Sequence, residues 1–205
     1  MPKIVDIESR RAQFVAASLD VIAVEGLKAA TMRRIAAEAG VTTGAITRYF
    51  SGREELLLEA VGAAHVAAGL RMQRAVQHGA NPLAQLEAVI LQAMPLDDIR
   101  LREWKIWSAF RNVLPGKAGL WATNEAGYDA WRGYLHTLLE PICLDADSVR
   151  REASLLVALV DGIGFRLAAM TASVEQIEAE QRTVTADIQY YVQALTRRQA
   201  RRWHR

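Results

Sequence analysis

A single cysteine, Cys143, stands among the 205 residues, so no disulfide can close within the chain. That scarcity fits a reducing compartment, and a cytoplasmic location is expected. Charge of one sign is missing as well: 25 Lys and Arg stand against 23 Asp and Glu, a net +2. Global charge therefore points neither to nucleic acid nor to a membrane surface, and any such signal has to be local. No apolar run is long enough to span a bilayer. The most apolar one, LLVALVDGIGF, is broken by Asp161 and soon followed by Arg166. The start, MPKIVDIESRR, lacks the apolar core of a signal peptide. The four histidines, His65, His78, His136 and His204, are scattered without metal-ligand spacing. There is no G-x-S-x-G, no glycine-rich phosphate loop and no Cys–His pattern above chance. An enzyme is not expected, nor a metal or a cofactor.

What remains is rich in Ala, Leu, Arg, Glu and Gln, with 51% apolar residues and no dominance of β-branched ones. That composition predicts an all-α protein. Phe14, Ala17, Val21 and Ile22 recur at helical spacing and predict a helix over 8–25, closed by Gly26. Thr31 caps a short helix over 32–39, closed by Gly40, and Thr42 caps another over roughly 43–49. Ser51-Gly52-Arg53-Glu54 fits a capping box ahead of a long helix to about residue 77. Further helices are expected at 82–94 behind Asn81-Pro82, from Asp97 or Asp98 to about 113, at 119–140, from Asp147 or Ser148 to about 172, and at 174–198. A loop is expected at Pro115-Gly116-Lys117.

The stretch VTTGAITRYF, residues 41–50, is built from poor helix formers. Two short helices joined by Ala39-Gly40-Val41 behind a longer one make a helix-turn-helix pattern, whose second short helix enters the DNA major groove. Small residues at its leading end let the backbone approach phosphates and base edges. Hydroxyls of Thr42, Thr43 and Thr47 can donate or accept, and backbone N–H groups at the helix start face anions. Arg48 and Tyr49 extend the reach. Between Thr31 and Arg53 stand four arginines, Arg33, Arg34, Arg48 and Arg53, against one acid, Glu38. The expected DNA-binding set is Thr31, Arg33, Arg34, Thr42, Thr43, Gly44, Thr47, Arg48, Tyr49 and Arg53. Ile35, Ala36, Val41, Ile46 and Phe50 are expected in the small core beneath it.

Residues 26–57, GLKAATMRRIAAEAGVTTGAITRYFSGREELL, resemble the DNA-binding segment of the tetracycline-repressor (TetR) family of bacterial regulators. The resemblance rests on Gly26, Thr31, Ile35-Ala36, Glu38-Ala39-Gly40-Val41, Gly44, Tyr49-Phe50 and Glu55-Leu56-Leu57. It implies that the first three helices bind DNA, while the rest bind an effector and a second subunit. The division expected is 1–56 for DNA binding, with a connecting helix over 54–77, and 57–205 for effector binding and dimerisation. Two departures stand out. Thr47 occupies a place where the family often has tyrosine, so no operator sequence carries over. Arg53 stands where lysine is common, which keeps the charge but changes hydrogen-bond geometry. Further on, EWKIW at 103–107 and DGIGFRL at 161–167 resemble the subgroup of choline-responsive, betaine-pathway repressors, the BetI-like type.

The aromatics concentrate in this second part. Trp104, Trp107, Phe110, Trp121, Tyr128, Trp131 and Phe165 are either core packing or, with Asp161, the lining of an effector pocket. An aromatic cage near Glu103, Glu125 or Asp161 would suit a cationic ligand, and an apolar lining a hydrophobic one. Asp161 could pair with a neighbour, sit at an interface or face the pocket. Heptad-like stripes predict a homodimer through a four-helix bundle: Leu155, Leu159 and Ile163 on one helix, Val184, Ile188, Tyr191 and Leu195 on the next. The alternative is that both stripes are consumed inside one subunit. The tail from Arg197 onward, with five arginines, is expected to be frayed and solvated. The partners expected are a palindromic double-stranded operator, a small-molecule effector and a second copy of the chain, with no membrane. A helical adaptor or ligand-binding protein without DNA binding is the rival; it would have no reason to keep the Thr31–Arg53 segment basic and small.

Overall fold

In the computed structural model the described residues are 7–111, 118–170 and 173–200, with the side chains of 196–200 excepted. The loop expected at Pro115-Gly116-Lys117 and the end of the basic tail lie outside them. Among the described residues there are nine helices and no strand: α1 (Ile7–Glu25), α2 (Met32–Glu38), α3 (Thr43–Ile46), α4 (Arg53–Val76), α5 (Pro82–Ala93), α6 (Asp98–Arg111), α7 (Ala118–Leu139), α8 (Ala146–Ala168) and α9 (Val174–Ala200). The fold is all-α, with a helix-turn-helix segment ahead of a larger helical part. None of the described helices is long and apolar enough to cross a membrane.

The residues fall into two compact units. One comprises Met1–Val66 with Lys105–Ala126, the other Ala67–Trp104 with Gly127–Arg205. Helices α4, α6 and α7 thus each supply residues to both.

The first unit has a continuous core. Phe14, Val21 and Ile22 of α1, Ile35 of α2, Ile46 of α3, Phe50, and Leu56 and Leu57 of α4 are all 0–1% exposed. Each such side chain contributes about 1.5–3 kcal/mol by leaving water. Ile106 and Phe110 of α6 and Leu120 of α7 join the same cluster. Helix α3 is four residues long, far below what stands alone in water, so this core is what holds it.

Both predicted closing glycines have positive φ, +81° at Gly26 and +68° at Gly40. At the second, Gly40 N–H donates to Ala37 (3.2 Å) and Val41 N–H to Ala36 (2.9 Å), the paired bonds of a Schellman turn. An L-residue at Gly40 would be strained, so this turn fixes the angle between α2 and α3. Thr31 caps α2 by accepting from Arg34 N–H at 3.2 Å, whereas Thr42 begins α3 without a side-chain cap bond. The capping box at Ser51 uses Glu55, not the expected Glu54. Glu55 accepts from Ser51 N–H (2.7 Å) and Ser51 Oγ–H (2.8 Å). The helix begins one residue later than the S-x-x-E spacing implies, so the third helical position is Glu55.

In the second unit Asn81 caps α5 through Ala84 N–H, and Asp145 caps α8 through Ser148 N–H. Helix α9 packs along α5. Gln181 donates to the Pro95 carbonyl (2.9 Å) and Gln189 to Glu87 (3.1 Å). A bidentate ion pair of Arg71 with Glu103, both distances 2.6 Å, ties α4 to α6 within this unit.

Candidate nucleic-acid interface

The geometry of α2 and α3 sorts the expected DNA-binding residues into two groups. Thr42, Thr43, Gly44, Thr47 and Arg48 are exposed along α3 and its final turn, and Arg33 is exposed on α2. Nothing lies within 4 Å of where a Cβ at Gly44 would stand. No intramolecular crowding therefore explains a glycine that costs helix stability. Thr47 Oγ1 donates to the Gly44 carbonyl at 3.2 Å, and its exposed hydroxyl can still accept. Thr31 is partly committed by its cap.

The second group turns inward. Arg34 pairs with Glu25 (2.6 Å) and with Glu38 (2.9 Å), so two carboxylates already meet its charge. Arg53 donates from Nε to the Ala30 carbonyl (2.7 Å) and from a terminal nitrogen to the Leu27 carbonyl (2.6 Å). It latches the connection between α1 and α2. A lysine, with one nitrogen, could not serve both carbonyls in that fork geometry. Tyr49 is half-buried, with its ring edge-on to Phe14 at 5.5 Å. The count of four arginines against one acid thus overstates the cationic surface, because Glu25 lies outside the Thr31–Arg53 window. Lys28 restores part of it. It is exposed in the turn before α2 and was missed because it too precedes that window.

Glu55 has a strongly acidic carboxyl, its pKa lowered to about 2. The Ser51 backbone N–H is the main cause, followed by the Ser51 hydroxyl and the Arg11 guanidinium.

The aromatic candidates divide between the units. Phe110 is 1% exposed and belongs to the buried core cluster of the first. Trp107 stacks on His65 in the same unit, ring centres 6.1 Å apart, and burial pushes the His65 imidazole down toward its neutral form. Trp121 is 53% exposed. In the second unit Trp104 is 3% exposed, edge-on to Phe165 at 5.0 Å, and donates from Nε1 to the Ala93 carbonyl at 2.8 Å. Tyr128 Oη donates to Asp161 at 2.8 Å, so Asp161 does pair with a neighbour, and both stay half-buried, as does Trp131.

Of the expected interface residues, Val184, Ile188 and Leu195 are 0–1% exposed within the single chain. They have no surface left to give a partner, and Tyr191 donates to the buried Glu152 at 2.7 Å. Those three positions are thus covered within one subunit, while Tyr191 stays half-buried. On α8 the expected residues stay accessible: Leu155 is 50% exposed, and Leu159 and Ile163 are half-buried.

A short hydroxyl-lined helix, braced by the core of its own unit and followed by a larger helical unit, defines a helix-turn-helix transcriptional regulator. Residues 14–60 match the family of bacterial regulatory proteins, tetR family, and residues 82–197 match the BetI-type transcriptional repressor C-terminal family. The chain is 30% identical over 167 residues to the regulator PksA of Bacillus subtilis, covering 80% of this chain and 82% of that one. It is 32% identical over 179 residues to the regulator BetI of Paraburkholderia phytofirmans, covering 81% and 85%. A solved transcriptional regulator from Rhodococcus sp. Rha1 is similar in fold, with 28% identity, a TM-score of 0.75, and 87% and 95% of the two chains covered. The protein belongs to the TetR family of transcriptional regulators, with a BetI-type C-terminal part.

Proposed function

We propose that the protein is a homodimeric repressor whose two α3 helices read a palindromic operator in adjacent major-groove faces, and which a small-molecule effector releases. Thr42, Thr43, Gly44, Thr47 and Arg48 approach base edges and phosphates, and Arg33 and Lys28 face the flanking backbone. The observation that carries this reading is the outward set on α3: exposed hydroxyls, an uncrowded glycine and the exposed Arg48. The two copies stand about 34 Å apart, one DNA turn, or a multiple of it. Pairing uses the accessible face of α8, where Leu155, Ala158, Leu159, Gly162 and Ile163 follow helical spacing with no charge among them.

The effector binds in the unit holding Tyr128 and Asp161, where a half-buried carboxylate beside an aromatic ring favours a cationic group. Binding shifts α4, whose far end carries the DNA-reading unit, and operator affinity falls. By linkage DNA weakens the effector by the same factor, commonly about 5–150-fold. The protein acts in the cytoplasm, on the nucleoid when bound.

Gel-shift titration with duplexes flanking its own gene tests the DNA reading. Arg48→Ala and Thr43→Ala should each weaken specific binding by about 5–150-fold, the range of one misread base pair. Arg48→Ala should also flatten the slope of log affinity against log salt, by about 0.9 for each phosphate it no longer neutralises. Arg34→Ala and Arg53→Ala should leave that slope unchanged. A wild-type protein that shifts no segment near its locus, with no small molecule present, refutes the reading.

A further inference from the structure

Helix α3 ends at Ile46, and the backbone turns through Thr47–Tyr49 to Phe50. The Tyr49 and Phe50 amides both donate to the Ile46 carbonyl, at 2.8 and 3.1 Å. The Tyr49 carbonyl closes that turn, and a side chain from another helix meets it. Arg11 of α1 donates to the Tyr49 carbonyl, to Glu55 of α4 (2.9 Å), and to Glu59 of α4, which its Nε reaches at 3.1 Å. Its guanidinium lies 4.2 Å from the centre of the Phe50 ring. One turn along α1, Phe14 packs edge-on against Tyr49 and Phe50, at 5.5 and 6.4 Å.

Helix α1 therefore grips the recognition segment at two levels. Phe14 holds the rings, and Arg11 holds the backbone. A cation at the carbonyl end of a helical turn is also where the backbone dipoles favour it. The two carboxylates opposite Arg11 outnumber its charge, and its side chain is only 24% exposed. Little positive potential is left there for a phosphate.

We propose that Arg11 is a positioning residue for DNA reading: it sets the pitch of the recognition helix through the Tyr49 carbonyl and does not itself contact DNA. The inference rests on the DNA-binding reading above. Its physical core is that α3 is too short to hold its own direction. Without Arg11, Glu55 and Glu59 face each other one helical turn apart as like charges. Both then oppose the partial negative charge of the Tyr49 carbonyl, and the turn is pushed off its seat.

The test uses the full chain with Arg11→Met and Arg11→Lys. The probe is the duplex that the wild type shifts, and amide exchange without DNA is followed in parallel. Thermal unfolding establishes that each variant is folded, and Arg11→Lys carries the comparison if Arg11→Met is not. For Arg11→Met the operator affinity should fall by roughly tenfold, comparable to one poorly read base pair. The slope against salt should match the wild type. The Tyr49 and Phe50 amides should exchange faster, while those of α4 do not. Arg11→Lys should recover part of the affinity, because one ammonium serves only one or two of the three acceptors. A slope lowered by about 0.9 per subunit would make Arg11 a direct phosphate ligand and overturn the proposal. Unchanged exchange at Tyr49 and Phe50 would overturn it equally. If the wild type binds no duplex, the DNA-binding reading fails, and the exchange comparison still decides whether Arg11 holds the turn.

Discussion

Gly164→Ala decides whether Trp104 is packing or the wall of a ligand space. A Cβ at Gly164 would stand 2.3 Å from Cζ2 and 2.4 Å from Cε2 and Cη2 of Trp104. Ordinary contact is about 3.5–4 Å, so the indole has to retreat by roughly an ångström or more. Its retreat is constrained by Phe165, edge-on at 5.0 Å, and by the bond from Nε1 to the Ala93 carbonyl. Overpacking of this kind costs about 1–3 kcal/mol. Breaking the indole bond costs about 1–3 kcal/mol more, since a buried acceptor is left unmet. Replacing glycine in a helix returns about 1 kcal/mol. The net expectation is a loss of about 3 kcal/mol, or roughly 10 °C in melting temperature for a chain of this length. Gly133→Ala is the control: it lies exposed in α7 with nothing within 4 Å of the new methyl. It should gain up to about 1 kcal/mol. If Trp104 bordered open space, the ring would swing aside. Gly164→Ala would then melt at or above the wild-type temperature, as Gly133→Ala does, and the packing argument would be refuted.

Two further expectations concern assembly and acid. Leu155→Glu places a charge on the accessible face of α8 and should convert a dimer to a monomer in light scattering; a dimer that survives it pairs through another surface. The Glu55 carboxyl, lowered to about 2 in the folded chain, has an ordinary value near 4.3 when unfolded. Its contribution is therefore complete above the unfolded value and disappears as pH falls through about 2. Denaturant midpoints of wild type and Glu55→Gln should differ by a constant amount above about pH 5 and converge as acid is added. A gap that does not narrow by pH 3 would show that Ser51 and Arg11 do not set this carboxyl.

The helices were legible because their signals are local. Caps at Thr31 and Asn81, closing glycines at Gly26 and Gly40, and apolar spacing in α1 require only neighbours in sequence. What they leave open is the partner of each face. Periodicity marks Val184, Ile188 and Leu195 as a stripe without saying whether the same chain or a second subunit covers it. The same limit applies to Phe110, whose helical spacing is equally good for a core or a pocket. Charge reads least well. The sequence shows the charge of Arg34 and Arg53 but not the partners, Glu25 and the Leu27 and Ala30 carbonyls, that the fold sets beside them, and no local pattern announces Arg11.

The latch formed by Arg53 bears on the order in which the amino-terminal unit assembles. Its acceptors, Leu27 and Ala30, precede it by 26 and 23 residues. The connection after α1 therefore stays without its final restraint while the chain is being synthesised, until the start of α4 has emerged and doubled back. Closing such a loop costs chain entropy that a local helix does not, so this restraint exists only for a chain that extends into α4.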